Sequence, residues 1–256
     1  MKIIFHEKFH DVYDSDPAAT RGRMKGMVEA VEKRWEIVRP GPAEEGDILR
    51  CHTRTHLEEE REDRAVFSMA MLAAGGAVKA AMTAAGGENA FALIRPPGHH
   101  ASPSSAWGFC HFNNVAVALL ALESRRLVRS ALILDIDLHF GDGTSNIFAQ
   151  KKQYAYLHPE GHDRLGYMAK MREEVDASPP ADIVAVSAGF DRGVEDWGNM
   201  LLPEDYKTIG DIAKKFALAH CGGKVFGVLE GGYDHDSLGA SLVALLEGFE
   251  QCSAGP

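Results

Sequence analysis

The sequence predicts an α/β fold, a mostly parallel sheet sandwiched by helices, and three observations predict it. Short apolar runs alternate with longer amphipathic segments along the whole chain. That alternation is the pattern of strand–helix–strand crossovers. No repeat, low-complexity tract or linker interrupts it, so one domain over residues 1–256 is expected. Four of the runs are followed at once by polar residues and glycines, as in open α/β sheets whose ligands gather beyond the carboxyl ends of the strands.

In order, Lys2–Phe5 reads as the first strand and Met24–Trp35 as the first helix, with Met24, Met27 and Val31 forming a packing stripe. Arg39-Pro40-Gly41-Pro42-Ala43 is a turn, and the charged stretch Glu58–Asp63 reads as a solvated face. Val66–Ala84 is helical and Ala90–Ile94 a strand. Val115–Leu122 is helical again, and Ala131–Asp137 is a buried strand. Tyr154–Leu157, Ile183–Ser187 and Val225–Leu229 are further strands, separated by helices over Leu165–Val175 and Pro203–Ala219 and followed by one over Ser237–Phe249. Pro203 suits a first helical turn, with Glu204 and Asp205 at the positive dipole end. Gly222-Gly223 stops that helix, and His220 is a favourable last-turn cation.

Composition narrows the function classes. The 256 residues are 45% hydrophobic and 25% charged, ordinary globular values, with a formal net charge of −10. No basic stripe offsets that charge, so no nucleic-acid partner is expected, while cationic substrates such as lysine-rich peptides or polyamines are tolerated. Met1–Phe5 is too soon interrupted for a signal peptide, and no apolar run approaches membrane-spanning length, so a cytoplasmic protein with no membrane partner is expected. Cys51, Cys110, Cys221 and Cys252 lie far apart without a C-x-x-C pair, which fits a reducing compartment and argues against a thiolate zinc site. Cys110 has no neighbouring base to activate it as a nucleophile.

The chemistry concentrates in Asp135-Ile136-Asp137-Leu138-His139, followed by Phe140-Gly141-Asp142-Gly143. On a strand, Asp135, Asp137 and His139 share one face. Carboxylates buried there are costly unless a cation or hydrogen bonds satisfy them. Asp137, His139 and Asp191 supply two oxygens and one nitrogen, a three-ligand set that leaves a position open. Zn2+ is favoured, and Fe2+ or Co2+ fit the same donors. His99-His100 would move protons, with Asp135 and Asp142 as the spare acids that orient them. Tyr233, on a Gly-Gly turn, would donate to a developing oxyanion. Phe109, Phe112 and Phe140 flank these motifs, as pocket lining or as ordinary core. His6, His10, His52, His56, His158, His162 and His235 read as ordinary surface or core residues.

Arg95–Ala101 (RPPGHHA), Gly108–Asn114 (GFCHFNN), Asp135–Gly143 (DIDLHFGDG), Ser187–Asp191 (SAGFD) and Leu229–Tyr233 (LEGGY), in this order, resemble the zinc-dependent histone deacetylase family, with its bacterial and archaeal amidohydrolases and its acetylpolyamine and acetoin-utilisation relatives. The resemblance implies the arginase–deacetylase fold, an eight-stranded mostly parallel sheet, and hydrolysis of an N-acyl amide other than a peptide bond. By motif, Asp137, His139 and Asp191 match the zinc ligands. His100 matches the general base and acid, backed by Asp142. His99 matches its electrostatic support, backed by Asp135. Tyr233 matches the tyrosine that clamps the substrate carbonyl. Gly108 and Phe109 match the tunnel wall, where the glycine carbonyl accepts the substrate N–H. The family also holds K+ against main-chain groups around the matches of Asp135, Asp137 and His139.

Two stretches depart from the family pattern. Between Arg54 and Ala65 the rim is short, and Glu58, Glu59, Glu60, Glu62 or Asp63 would have to replace the family's rim acid. Between Phe148 and Leu165, Tyr156-Leu157-His158-Pro159 replaces a serine-containing strand end, which puts the K+ ligand in doubt. The trimmed rims predict a wider, shallower mouth. A partner subunit of a homo-oligomer could complete it. The expected substrate is an acetylated lysine peptide or a small acetylated amine. Two other readings compete: a non-catalytic acetyl-lysine-binding scaffold, and a manganese ureohydrolase. The latter wants D-x-H-x-D where this chain has D-x-D-x-H.

Overall fold

The structure, a computed structural model, describes residues 1–250. In chain order the elements are β1 (Lys2–Ile4), α1 (Lys25–Val31), β2 (Glu36–Val38), α2 (Glu45–Ile48), α3 (Arg54–Glu60), α4 (Arg64–Ala85), β3 (Ala90–Ala92), α5 (Asn114–Ser124), β4 (Ala131–Asp135), α6 (Asp142–Phe148), β5 (Tyr154–Leu157), α7 (Arg164–Asp176), β6 (Val184–Ala188), α8 (Pro203–His220), β7 (Val225–Leu229) and α9 (Leu238–Glu250). Short 3-10 turns lie over Glu7–His10 and Pro17–Ala19. The strands form one sheet in the order β2-β1-β3-β7-β6-β4-β5, every pair parallel. Helices α2, α4 and α5 form one packed group, and α1, α7, α8 and α9 another. With helices on both faces, β3, β4, β6 and β7 are buried at every residue, which is why they read as continuous apolar runs.

The sheet therefore has seven strands among the described residues, one fewer than the resemblance implies, because no described segment pairs outside β2 or β5. Strand β2 carries no sequence signal, being three half-exposed edge residues after a charged helix. Helix α6 is likewise too short and polar to show a helical period. The expectation of no membrane-length apolar run needs correction. Helix α4 has the length and composition to cross a membrane, yet it packs on α5, β1, β3 and β7, and 67% of its most apolar window is buried inside the fold. Its apolar character is that of a core helix.

The central motif also differs from expectation. Strand β4 ends at Asp135, so Asp137 and His139 stand on a loop and not on a strand face. Each side chain takes the N–H two residues on: Asp137 N donates to Asp135 Oδ1 (3.2 Å) and His139 N to Asp137 Oδ1 (2.9 Å). Such aspartate turns replace the sheet ladder and keep the side chains converging. Cys51, Cys110 and Cys221 are buried free thiols; Cys252 lies outside the described residues.

Candidate active site

The carboxyl ends of β3, β4, β6 and β7 are neighbours in the sheet, and their following loops bring Asp137, His139 and Asp191 together. One ligand atom from each lies within 4.8 Å of the others. The carboxylates are oriented by backbone donors. Leu138 N donates to Asp191 Oδ1 (2.9 Å) and Gly231 N to Asp137 Oδ2 (2.9 Å). A Cβ on Gly231 would lie 2.5 Å from that oxygen, so only glycine permits the approach. His139 Nδ1 faces both acids, at 3.3 Å from Asp137 Oδ1 and 3.2 Å from Asp191 Oδ2. Burial and the facing Asp137 push Asp191 up to about 7. The hydrogen bonds with Asp137 and Asp191 raise His139 to about 10. A divalent cation fits this donor set, since it would neutralise two buried carboxylates that otherwise share a proton.

A second buried group, His99, Cys110 and Glu230, has the spacing of a metal site but not the free donors. Glu230 spends its oxygens on Gly98 N (2.7 Å), His99 N (3.1 Å) and Ser187 Oγ (3.2 Å). Burial holds the Cys110 thiol well above its usual range. It is a hydrogen-bonded support under the histidine loop.

The two histidines have different surroundings. His99 Nδ1 meets Asp135 Oδ2 at 3.2 Å, and its Nε2 lies 3.7 Å from Asp137 Oδ1. Burial lowers its pKa, but the Asp137 and Asp135 carboxylates outweigh that and raise it well above the ordinary range. His100 Nδ1 meets Asp142 Oδ1 at 2.7 Å. Burial and the adjacent His99 ring, 4.0 Å away, lower His100 despite Asp142. The two histidines are thus driven in opposite directions, His99 upward and His100 downward. Asp142 opens helix α6, where a carboxylate faces the positive dipole end.

Tyr233 completes the site. Burial keeps its phenol protonated, a donor. Its ring stacks on Trp197 at 4.0 Å and meets Phe109 edge-on at 6.0 Å. Gly108 and Phe109 both take left-handed backbone, φ +62° and 66°, turning that loop into the cavity wall. The cavity, about 120 Å³, is lined by His99, His100, Phe109, Asp137, His139 and Tyr233, with the half-exposed indoles of Trp107 and Trp197 at its wall.

Every site residue named from the sequence thus lies around one centre, apart from its role. Phe112 is core, and Phe140 packs edge-on against Tyr156 and His158 outside the cavity. None of the rim candidates lines the cavity. Glu58 pairs with Arg61, Asp63 caps α4, and Glu60, far from a solvated face, takes His111 Nδ1 at 2.6 Å. Sequence reasoning missed Trp107, Trp197, Asp196, Arg23, Glu230 and Arg192. Asp196 Oδ2 accepts Tyr233 N (2.6 Å) and Asp234 N (2.8 Å), and Arg23 grips the carbonyls of Gly232 and Glu230 at 2.8 and 2.6 Å. For these missed residues the only sequence signal is proximity to the motifs: Trp107 precedes Gly108, Arg192 follows Asp191, Glu230 lies within Leu229–Tyr233, and Trp197 sits six residues after Asp191.

Comparison with known proteins finds relatives along most of the chain. Residues 18–165 match the histone deacetylase domain. A probable deacetylase of Archaeoglobus fulgidus is 30% identical, over 97% of this chain and 86% of its own length. A probable deacetylase of Methanothermobacter thermautotrophicus is 28% identical over 97% and 90%, respectively. The histone deacetylase-like amidohydrolase of Pseudomonas aeruginosa is 28% identical over 89% and 74%. Among solved structures, the HDA15 HD domain superposes with a TM-score of 0.84 at 25% identity, covering 97% of this chain and 88% of that one.

Proposed function

The chain belongs to the histone deacetylase family, and on that premise we propose a zinc-dependent deacetylase. Membership supports deacetylase or amidohydrolase activity; the proposal adds the metal, the residues and the bond. The substrate is the N-acyl amide of an acetylated lysine side chain or of a small acetylated amine, and the products are acetate and the free amine. The observation that carries this reading is the pair of histidine–carboxylate dyads, His99–Asp135 and His100–Asp142, facing the Asp137/His139/Asp191 cluster.

Zinc held by Asp137, His139 and Asp191 would polarise the amide carbonyl and make water acidic enough to attack near neutral pH. Asp142 fixes the His100 proton on Nδ1, which leaves Nε2 with a free lone pair. His100 Nε2 takes the proton of the attacking water and returns it to the leaving amine. His99, held charged by Asp135, stabilises negative charge beside it. The Tyr233 hydroxyl donates to the developing oxyanion, and the Gly108 carbonyl accepts the amide N–H. Trp107, Phe109 and Trp197 wall the acyl chain from water. A scaffold that only bound acetyl-lysine would need no proton shuttle, and both dyads are intact.

The test is turnover of an acetyl-lysine peptide and an N-acetylated polyamine by zinc-reconstituted protein, with His100→Ala as control. Turnover of either, lost in the variant, supports the proposal. Silence on both with zinc bound would move the reading to a binding role.

A further inference from the structure

The resemblance places a potassium ion against main-chain groups around Asp135, Asp137 and His139, and the residues present do not fit one. Potassium needs oxygen lone pairs, and the Asp137 and Leu138 carbonyls and the Asp135 carboxylate already meet donors. The Asp137 carbonyl accepts from Arg192 Nε (3.1 Å) and His158 Nε2 (2.9 Å), so both of its lone pairs are used. The Leu138 carbonyl accepts from Arg192 Nη2 (3.3 Å). Asp135 Oδ1 accepts from Asp137 N (3.2 Å), while Oδ2 receives the Tyr156 hydroxyl (2.9 Å) beside His99 Nδ1 (3.2 Å). Tyr156 is itself held by Gly141 N (2.9 Å). With Nε2–H donating to the Asp137 carbonyl, His158 cannot also accept from Arg192, and their 3.2 Å approach is a packing contact.

Arg192 is only 5% exposed, and its guanidinium lies 4.8 Å from the Tyr167 ring. A guanidinium is charged at every working pH and carries its donors in a fixed fork. Buried, it requires the carbonyls it grips. Arg192 also follows Asp191 directly, so the fork ties the Asp137–Leu138 backbone to the loop that presents Asp191.

We propose that Arg192 is the built-in monovalent cation of this site, a positioning residue that, with Tyr156 and His158, takes the place of potassium and makes the protein independent of it. The proposal rests on the family reading only for where potassium would lie.

The experiment compares the zinc-loaded protein in potassium, sodium and tetramethylammonium chloride at one ionic strength, following the melting temperature and the binding of thallium(I) by thallium NMR. Equal melting temperatures and no bound thallium are expected; a potassium-specific rise or a bound thallium would overturn the proposal. Arg192→Ala should weaken zinc, measured by chelator competition, by about 10- to 100-fold, the usual scale for residues that orient ligands. Added methylguanidinium should restore part of that affinity. Unchanged zinc affinity in Arg192→Ala would also overturn it. If that variant does not fold, Arg192→Lys keeps the charge, loses the fork, and should fall between the two. None of these readouts needs turnover, so an inactive protein would sink the deacetylase reading and leave this one standing.

Discussion

Trp107 lies over His100, ring centroids 3.9 Å apart, and both donate to one carboxylate. The indole Nε1–H reaches Asp142 at 3.0 and 3.2 Å while His100 Nδ1 reaches it at 2.7 Å. Burial raises Asp142, and these two hydrogen bonds outweigh that and hold it below its usual range. The indole therefore tempers how strongly Asp142 supports a charged His100.

That relationship sets the pH profile. In the proposed mechanism neutral His100 is the active form, so kcat/KM should rise with pH through a midpoint below 6.5, because burial and His99 depress its pKa. Asp142→Asn removes the hydrogen-bonded partner that, with Asp137, raises His100, and should move the midpoint lower, with activity down about 10²-fold or more. Trp107→Phe keeps a ring but frees the carboxylate, so the midpoint should move up. Rate profiles from pH 5 to 9 measure both, and parallel shifts in the two variants would contradict the arrangement.

Metal binding and proton transfer should separate by residue. His100→Ala should lose about 10²- to 10⁴-fold in turnover while binding zinc as before. Asp191→Ala should lose the metal itself. Metal content by mass spectrometry after gel filtration, beside kcat, distinguishes them. Chelation should lower the melting temperature of the parent and not of Asp191→Ala, since a ligand bound only to the folded state stabilises it.

Gly108 is needed twice. Its φ of +62° is a region other residues enter at about 1–2 kcal/mol, and a Cβ would lie 2.5 Å from His100 Cδ2. Gly108→Ala should lower stability by about that amount and cut kcat by about 10²-fold as His100 is pushed aside. Urea denaturation and steady-state kinetics on one preparation test the pair of effects; loss of stability without loss of kcat would show that His100 yields freely.

His52 predicts acid sensitivity away from the site. Its Nδ1 bonds to the Ser102 carbonyl (2.9 Å), and Nε2 accepts Asn113 N (2.9 Å), at the cap of α5. Burial, helped by His56, lowers its pKa to about 4 from 6.5. The unfolded chain takes up the proton first, so this contribution is complete above pH 6.5 and is lost as pH falls toward 4, about 3 kcal/mol in all. His52→Gln should flatten the stability curve across that window, measured by urea unfolding at pH 7.5, 6 and 5. An unchanged slope would assign the acid loss to other groups.

Asp137, His139, Asp191, His99, His100 and Tyr233 were legible because each stands in a short motif at a strand end, and topology sends parallel strand ends to one edge. The strand boundary after Asp135 was not legible. Two aspartate side chains compete there with the sheet for backbone N–H groups, and an apolar pattern does not register that. The charged run Glu58–Asp63 looked solvated, yet Glu60 turns inward to His111, a partner 51 residues away.

The alternating α/β architecture, the buried strands and the identity of the side chains that converge beyond the strand ends are set by the sequence alone. These follow from local periodicity and from residue chemistry. Tertiary structure alone decided which groups surround them. Trp107 and Trp197 come from different loops to wall the cavity, and His158 and Arg192 meet at the Asp137 carbonyl from two strand ends. A donor's role depends on which lone pair it reaches, and that distance is set only when the strands are paired.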